Sequence, residues 1–443
     1  MNIKINSKDV VKGDTFVAIK GQNYDGHNYI EEAINLGASK IVAEYGNYSV
    51  DTIIVSDTKK YLEEYLYDNY YDKIKDIKLI GMTGTNGKTT TCYLIYQALN
   101  SINISTAYIG TLGFYIKDEK ISLNNTTPSL YDIYNMLLKC LEYKIEYVVM
   151  EVSSQGLAMG RVNTLKFDYV IFSNLTQDHL DYHKTLENYV LEKQKLFKMT
   201  DNSYAIVNAD DAYCNYFLLD NKNITYGKTS NDYKISDIKL DNKTTIFKLN
   251  NEEYKTKLLG EYNVYNVCIV IIILELLKIQ NIKEIIENLT PPPGRMDIIN
   301  YNSNLIIVDY AHTPDAVEKI ITNARKLNHN RIITLIGCGG NRDKTKRSIM
   351  GNIAVNNSDY VIFTSDNPRY EKPKKIINDI ICKLDKKNYK IIVNRKKAIK
   401  KSIQMLTKND ILLVLGKGHE EYQIIKDKKI PFSDKKYIQK FMR

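Results

Sequence analysis

At 443 residues the chain is too long for one hydrophobic core, so about three domains are expected; 44% hydrophobic and 26% charged residues are ordinary for a globular protein. The longest apolar run, Val267 to Leu274, is broken by Glu275 far short of a bilayer span, and the N-terminus lacks an apolar signal segment, so neither membrane insertion nor secretion is expected. The net charge of +10 is spread along the chain rather than gathered into a basic block with interleaved aromatics, which fits an anionic small-molecule substrate better than nucleic acid. Six scattered cysteines (92, 140, 214, 268, 338 and 382) with no CxxC pair read as free thiols in a reducing cytoplasm.

Residues 1 to about 75 read as a small α/β segment, with "GDTFVAIKG" a strand, "YIEEAINLGA" a helix and "KIVAE" a strand. Near residue 77 a strand, a Gly-rich loop and a helix follow in "IKLIGMTGTNGKTTTCYLIYQALNSI". Apolar positions 130, 133, 134, 137, 138 and 141 keep helical spacing, and the strand "YVVMEVSS" comes next, making a βαβ unit. "PPPGR", residues 291 to 295, cannot be a helix interior or a central strand and marks a boundary. Five apolar strands follow, near 305–309, 332–336, 360–364, 390–393 and 411–415, mostly separated by helical segments; this alternation predicts a parallel, doubly wound sheet. The fold expected is α/β in three domains, 1–75, 76–291 and 292–443.

"GMTGTNGKTT", residues 81 to 90, carries the strongest local chemistry. Small residues across Gly84, Thr85, Asn86 and Gly87 let backbone N–H groups reach phosphate oxygens. Lys88 can reach the terminal phosphates, and Thr89, followed by Thr90, can offer a hydroxyl to Mg²⁺ at the helix N-terminus. Strict phosphate-loop spacing wants glycine at 82, where this chain has Met82, so the flanking strand and helix carry the assignment. Glu151 closes the run "YVVM", where a carboxylate could hold Mg²⁺ or simply be a charge at a strand edge. "FDYVIFSNLTQDHLDYH" reads as a strand entering a polar loop with His179, Asp181 and His183; a lone histidine there is more often structural than a ligand. Lys193, in "ENYVLEKQKLF", reads locally as a solvated lysine on a helix. Asp366-Asn367-Pro368-Arg369 reads as a turn ending a strand, where the turn is either punctuation alone or places the Arg369 guanidinium to hold a ligand.

Taken together, these pieces resemble the Mur ligase family, which builds the peptide stem of peptidoglycan from ATP and amino acids. "GDTFVAIKGQNYDGH" is similar to its uridine-binding domain. "GMTGTNGKTT", "NTTP", "MEVSSQGL", "NLTQDHLDYH" and "GEYNVYN" are similar to its ATPase domain. "GRMD", "VDYAHTPDA", "GCGGNRDKTKR", "DNPR" and "GKGHE" are similar to its C-terminal domain. The resemblance implies an ATP-dependent amide ligase acting as a cytoplasmic monomer, of the type that adds meso-diaminopimelate to UDP-MurNAc-L-Ala-D-Glu. Addition of lysine, a folate-polyglutamate ligase and a P-loop protein that is not a ligase are the alternatives.

The resemblance also implies residue roles. Thr89 and Glu151 would hold one Mg²⁺, and Glu151, His179 and Lys193 a second, with Lys193 carrying a CO₂-derived carbamate. Ser7 would meet the uracil end of the nucleotide substrate, and Thr126, Thr127, Ser153 and Arg161 its muramoyl-dipeptide. Asn266, Arg295 and Asp309 would contact ATP, with His312 supporting that surface. Arg342, Asp366, Asn367, Pro368, Arg369, Gly416 and Glu420 would bind diaminopimelate. Three positions depart from the pattern: Asn6-Ser7-Lys8 stands for Asp-Ser-Arg, Met159 for a glutamine found in some members, and Phe432-Ser433-Asp434 for Phe-Asp-Asp.

Overall fold

Period-two and period-3.6 apolar patterns alternate along most of this chain, and the computed structural model, which describes residues 1–21, 24–241 and 243–442, turns them into parallel sheets with helical connections. Gln22 and Asn23, inside the uridine-domain motif, lie outside the described residues. The chain divides into two compact units, residues 1–80, 105–168 and 199–201 in one and the remainder in the other.

The first unit opens with four parallel strands, Ile3–Lys4, Thr15–Val17, Lys40–Ala43 and Asp51–Ile54, hydrogen-bonded in that order. Phe16, Ile41 and Ala43 from the strands pack with Ile30 and Ala33 of the helix Ile30–Asn35 into a small core. The helix Thr58–Ile74 starts where the Asp57 carboxylate accepts the Lys59 and Lys60 N–H groups. Further along, Tyr147–Glu151 pairs in parallel with Thr106–Gly110, which turns antiparallel to Gly113–Ile116 and then Glu119–Ile121. The helix Leu130–Glu142 buries Leu130, Ile133, Tyr134 and Leu137 as its spacing predicts. Its last buried position is Cys140 rather than Leu141.

In the second unit the strand ending at Thr83 leads through the Gly-rich loop into the helix Lys88–Ser101. The strands Thr200–Asn208, Asn223–Gly227 and Tyr233–Leu240 run parallel, and Thr245–Leu249 and Glu252–Thr256 add an antiparallel edge. The apolar run 267–274 is the buried middle of the helix Glu261–Leu276. Among the described residues no helix is long and apolar enough to cross a membrane.

After the proline run comes a six-stranded sheet, in the order Asp297–Tyr301, Asn304–Asp309, Ile411–Leu415, Ile332–Ile336, Tyr360–Phe363, Tyr389–Ile391. Only its first pairing is antiparallel. Alternate strand residues feed two separate cores, Ile307, Leu413 and Phe363 in one and Val308, Leu412 and Ile362 in the other. Both faces are therefore covered by helices, which is the doubly wound arrangement the sequence predicts. At Phe432-Ser433-Asp434, the Ser433 hydroxyl caps the helix Asp434–Phe441 by accepting the Lys436 N–H, a task aspartate performs equally well. Asp434 itself is fully buried against Arg395, with Nε and Nη2 of the guanidinium 2.8 and 2.6 Å from its two oxygens.

Candidate active site

The strand ends of the C-terminal sheet decide where its chemistry sits. Asp309 closes one strand, and Gly337, Asp366 and Gly416 follow closely on three others, so four quoted motifs collect at one carboxyl edge. Open α/β sheets bind ligands there.

The phosphate loop is shaped by two glycines with positive φ, +148° at Gly84 and +90° at Gly87. A Cβ at Gly84 would run into the Ser173 hydroxyl, and one at Gly87 would lie 2.8 Å from Asn266 Oδ1. Met82 is fully buried inside the strand Lys78–Thr83. The loop therefore begins at Gly84, and the glycine expected at 82 has no turn to make. Asn174 braces the loop, its carbonyl accepting Thr85 N–H at 2.8 Å and its Oδ1 accepting Asn86 N–H at 3.0 Å. Lys88 Nζ lies over the loop, donating to the Gly84 and Thr85 carbonyls at 2.6 and 2.9 Å. Thr89 and Thr90 are buried at the start of the helix. Asn266 is buried too, and accepts from the Thr91 hydroxyl at 3.0 Å.

Lys193 overturns its local reading. Only 1% exposed on the helix Leu186–Gln194, it points its ammonium at the Gly84 carbonyl, 2.8 Å away, and over the Tyr189 ring. Burial, and then the nearby Lys88 ammonium, hold its pKa well below the usual lysine range. His179 and His183 lie at the two ends of a short helix, Leu180–His183, rather than in an open loop, and Asp181 falls within it. His179 caps that helix with φ +54°, and its Nε2 lies 3.5 Å from Asp178 Oδ2. Burial and the ammoniums of Lys88, Lys193 and Lys346 lower its pKa, against the pull of Asp178.

Among the described residues no three His, Cys, Asp or Glu side chains gather to hold a metal ion. A cation beside this loop would depend on the Thr89 hydroxyl, on phosphate oxygens and on Lys193 converted to an oxygen donor. Mg²⁺ accepts such a set, being held characteristically by few carboxylates together with substrate phosphates. The low-pKa amine of Lys193 fits that conversion, since only the neutral form attacks CO₂.

Arg295 reaches the same helix start, with Nη2 3.2 Å from Thr89 Oγ1 and the guanidinium stacked 4.6 Å from the Tyr310 ring centre. Among the described residues its buried Nε has no hydrogen-bond partner. Asp309 accepts the Met296 and Ala311 N–H groups, each at 2.7 Å, and burial raises its pKa. His312 Nδ1 lies 2.8 Å from the Tyr310 carbonyl; burial and Lys346 lower its pKa to about 4.

In the first unit, Thr126, Thr127, Ser153 and Arg161 form one network with Glu151. Thr127 Oγ1 donates to the Glu151 carbonyl at 2.9 Å, accepts the Ser153 N–H at 2.9 Å and lies 3.0 Å from Ser153 Oγ. Arg161 Nη1 donates to the Thr127 carbonyl at 2.7 Å, and its Nη2 lies 3.0 Å from the Met159 thioether, a weak acceptor. Thr126 and Thr111 hydroxyls are 3.0 Å apart. Glu151 is buried, accepting from Tyr108 Oη at 2.5 Å and from Thr111 N–H at 2.8 Å. Ser7, also buried, donates to Glu32 at 2.5 Å, which leaves its oxygen lone pairs as acceptors.

At the carboxyl edge of the C-terminal sheet, Asp366, Asn367 and Pro368 are buried and Arg369 is half-buried. Pro368 does not set the Arg369 backbone: Arg369 has φ +49° and is held by a β-bridge to Ile425, its N–H on the Ile424 carbonyl at 3.0 Å. Arg369 Nη1 donates to the Gly340 carbonyl at 2.9 Å. Its pKa is lowered by burial and by the like charge of Arg342, an exposed residue. Glu420 Oε2 accepts from Asn367 Nδ2 at 2.8 Å and from Lys417 Nζ at 2.6 Å. Gly416, with φ +109°, leaves no room for a Cβ beside Asp366. A Cβ on Gly294, next to Arg295, would collide with the His419 backbone, so the amino-acid loop and the nucleotide arginine pack tightly. Sequence reasoning did not single out Asn174, Tyr108 or Lys417; two of them stand inside quoted motifs, where only burial reveals what they do.

Comparison with known proteins places this geometry. Residues 1–78 match the Mur ligase family catalytic domain, 82–274 the Mur ligase middle domain and 294–418 the Mur ligase glutamate ligase domain. The UDP-N-acetylmuramoyl-L-alanyl-D-glutamate–2,6-diaminopimelate ligase of Clostridium botulinum is 42% identical over 461 residues, covering 100% of this chain and 95% of the relative. The enzyme of the same name from Fusobacterium nucleatum subsp. nucleatum is 42% identical over 451 residues, covering 98% and 92%. A solved structure of a ligase of that name superposes with a TM-score of 0.70 at 30% identity, covering 99% of this chain and 94% of that one.

Proposed function

This chain belongs to the Mur ligase family, and on that premise we propose how its residues carry out an ATP-dependent ligation of meso-diaminopimelate to UDP-MurNAc-L-Ala-D-Glu in peptidoglycan precursor synthesis. It is an α/β enzyme of three domains, for which we take boundaries near residues 75 and 291.

The γ-phosphoryl group of ATP passes to the γ-carboxylate of D-glutamate, releasing ADP and leaving an acyl phosphate. The amine of diaminopimelate attacks the acyl carbon; phosphate departs with the C–O bonding electrons, the amine loses a proton, and an amide remains. The backbone N–H groups of residues 84–87 cradle the phosphates. Lys88 leaves the Gly84 and Thr85 carbonyls for the phosphoryl oxygens, where its charge offsets the negative charge of transfer. Arg295, anchored on Thr89, approaches the nucleotide from the C-terminal domain, with Asn266, Thr90 and Asp309 shaping the pocket.

The first unit's Thr126, Thr127, Ser153 and Arg161 hold the muramoyl-dipeptide, and Ser7 offers an acceptor to the uracil N–H. Mg²⁺ would be held by Thr89, Glu151, His179 and a carbamate on Lys193, and it would neutralise charge on the phosphoryl oxygens.

One observation carries the choice of amino acid. Arg369 and Arg342 both come up to Gly339, where an added Cβ would lie 3.0 Å from Arg369 Nη1 and 3.8 Å from Arg342 Cγ, and after burial the like charge of Arg342 lowers the Arg369 pKa, so a carboxylate bound there would offset both cations. Diaminopimelate has a carboxylate at its distal carbon and lysine does not. The test supplies ATP, Mg²⁺ and UDP-MurNAc-L-Ala-D-Glu with diaminopimelate, lysine or glutamate in parallel and follows ADP. Release with diaminopimelate alone is expected; equal release with lysine overturns the specificity, and release with none overturns the ligation.

A further inference from the structure

We propose that Lys417 is the positioning residue for amino-acid specificity, its buried ammonium fixing Asn367 and Glu420 so that a single Glu420 oxygen faces the distal ammonium of diaminopimelate. This rests on the reading of the site given above.

Lys417 is fully buried, two residues past the end of the strand Ile411–Leu415, with Gly416 between. An ammonium taken out of water must be paired and hydrogen-bonded. Its partners are Glu420 Oε2 at 2.6 Å and Asn367 Oδ1 at 3.1 Å, with the Tyr422 ring 5.8 Å away. Asn367 Oδ1 also accepts the Ile424 N–H at 2.9 Å, while its Nδ2 donates to Glu420 Oε2 at 2.8 Å. Turning that amide over would set its NH₂ against two donors, so Lys417 and Ile424 fix its orientation.

Glu420 thus has one oxygen engaged twice. Its Oε1 accepts no hydrogen bond among the described residues, and the side chain keeps 12% exposure. That oxygen is the acceptor left for a substrate.

Arg369 stands two residues beyond Asn367, so the cluster offers one anionic acceptor near a cationic fork. This complements a carbon bearing both an ammonium and a carboxylate, which is the distal end of diaminopimelate. Lysine brings the ammonium alone and glutamate the carboxylate alone. Without Lys417, Glu420 would keep only the Asn367 amide as a partner, and the orientation of that amide would rest on the Ile424 N–H alone.

The test uses full-length enzyme carrying Lys417→Met, which keeps the stem and removes the charge. KM for diaminopimelate should rise about ten-fold or more, as expected for losing a charge-assisted hydrogen bond, while KM for ATP and for the UDP-dipeptide stays within about two-fold. Lys417→Gln, which keeps a donor without the charge, should show the same split and serves if the methionine variant does not fold. In the double variant Lys417→Met/Glu420→Gln, KM for diaminopimelate should not exceed that of Glu420→Gln alone, because the lysine acts through that carboxylate. An unchanged KM for diaminopimelate, an equal rise in all three constants, or multiplying effects in the double variant would overturn the proposal. Wild-type enzyme in the same assay separates the two levels. Turnover with diaminopimelate beside an unaltered variant refutes only the role of Lys417, whereas wild-type enzyme inert toward diaminopimelate refutes the reading beneath it.

Discussion

The Lys193 Nζ lies 2.8 Å from the carbonyl oxygen of Gly84, so an amine with almost no exposure to water touches the backbone of the phosphate loop itself. A lysine kept only for solubility would not be placed there. Burial and the Lys88 charge favour its neutral form, which is the form that captures CO₂. Lys193→Ala should lower kcat by about 10²-fold or more, the scale of removing one preorganised electrostatic contact at a reacting centre. Added acetate or formate should restore part of the rate by supplying the missing oxygen donor. Turnover like that of the wild type would remove Lys193 from the chemistry.

Gly87 offers a test of loop geometry. Its φ of +90° costs an L-residue about 1–2 kcal/mol, and an alanine Cβ would press on Asn266 Oδ1 from 2.8 Å. Gly87→Ala should weaken ATP binding about ten-fold by calorimetry and leave affinity for the UDP-dipeptide unchanged. Wild-type ATP affinity would mean that the loop tolerates a Cβ where the structure has no space for one.

The doubly wound C-terminal sheet was legible because its strands are short, apolar and separated by helical spacing, and because four motifs fall just after strand ends. What escaped was anything that depends on tertiary burial. Lys193 stands among Glu192, Gln194 and Lys195, and those neighbours alone describe a solvated helix face. Met82 looked like a broken phosphate-loop pattern because spacing rules count letters, whereas the turn is made by Gly84. Arg369 looked like the sequel to a proline turn; its backbone is in fact held by the hairpin strand Tyr422–Ile425, more than fifty residues later, and local sequence cannot show that pairing.

His312 gives a pH dependence with a definite sign. The Tyr310 carbonyl can only accept, so Nδ1 carries a proton, and burial and Lys346, which lower the pKa to about 4, keep the ring neutral near pH 7. An unfolded histidine titrates near 6.5, so between these values the unfolded chain holds a proton that the folded chain lacks. Stability must therefore fall as pH drops through that window, by about 2 kcal/mol between pH 7.5 and pH 5 from this residue. Thermal midpoints of the wild type should drop more over that interval than those of His312→Gln. Parallel losses would show that the folded ring is protonated more easily than its surroundings imply.

Arg369 is where the choice of amino acid can be tested by one substitution. Its guanidinium is held by the Gly340 carbonyl, and burial and then the like charge of Arg342 lower its pKa. A substrate carboxylate would pair with both cations at once. Losing one such charge-assisted contact costs about 2 kcal/mol, roughly a 30-fold rise in KM for diaminopimelate. Arg369→Ala should show that rise with KM for ATP little changed, because the hydrogen bonds that Arg369 donates run to Gly340 and Ile424. Arg369→Lys should recover only part of the loss, since an ammonium cannot match the two oxygens of a carboxylate as a planar fork does. If the alanine variant keeps the wild-type KM, Arg369 serves only to tie the turn to the Gly340 carbonyl, and the carboxylate must be read by Arg342 alone.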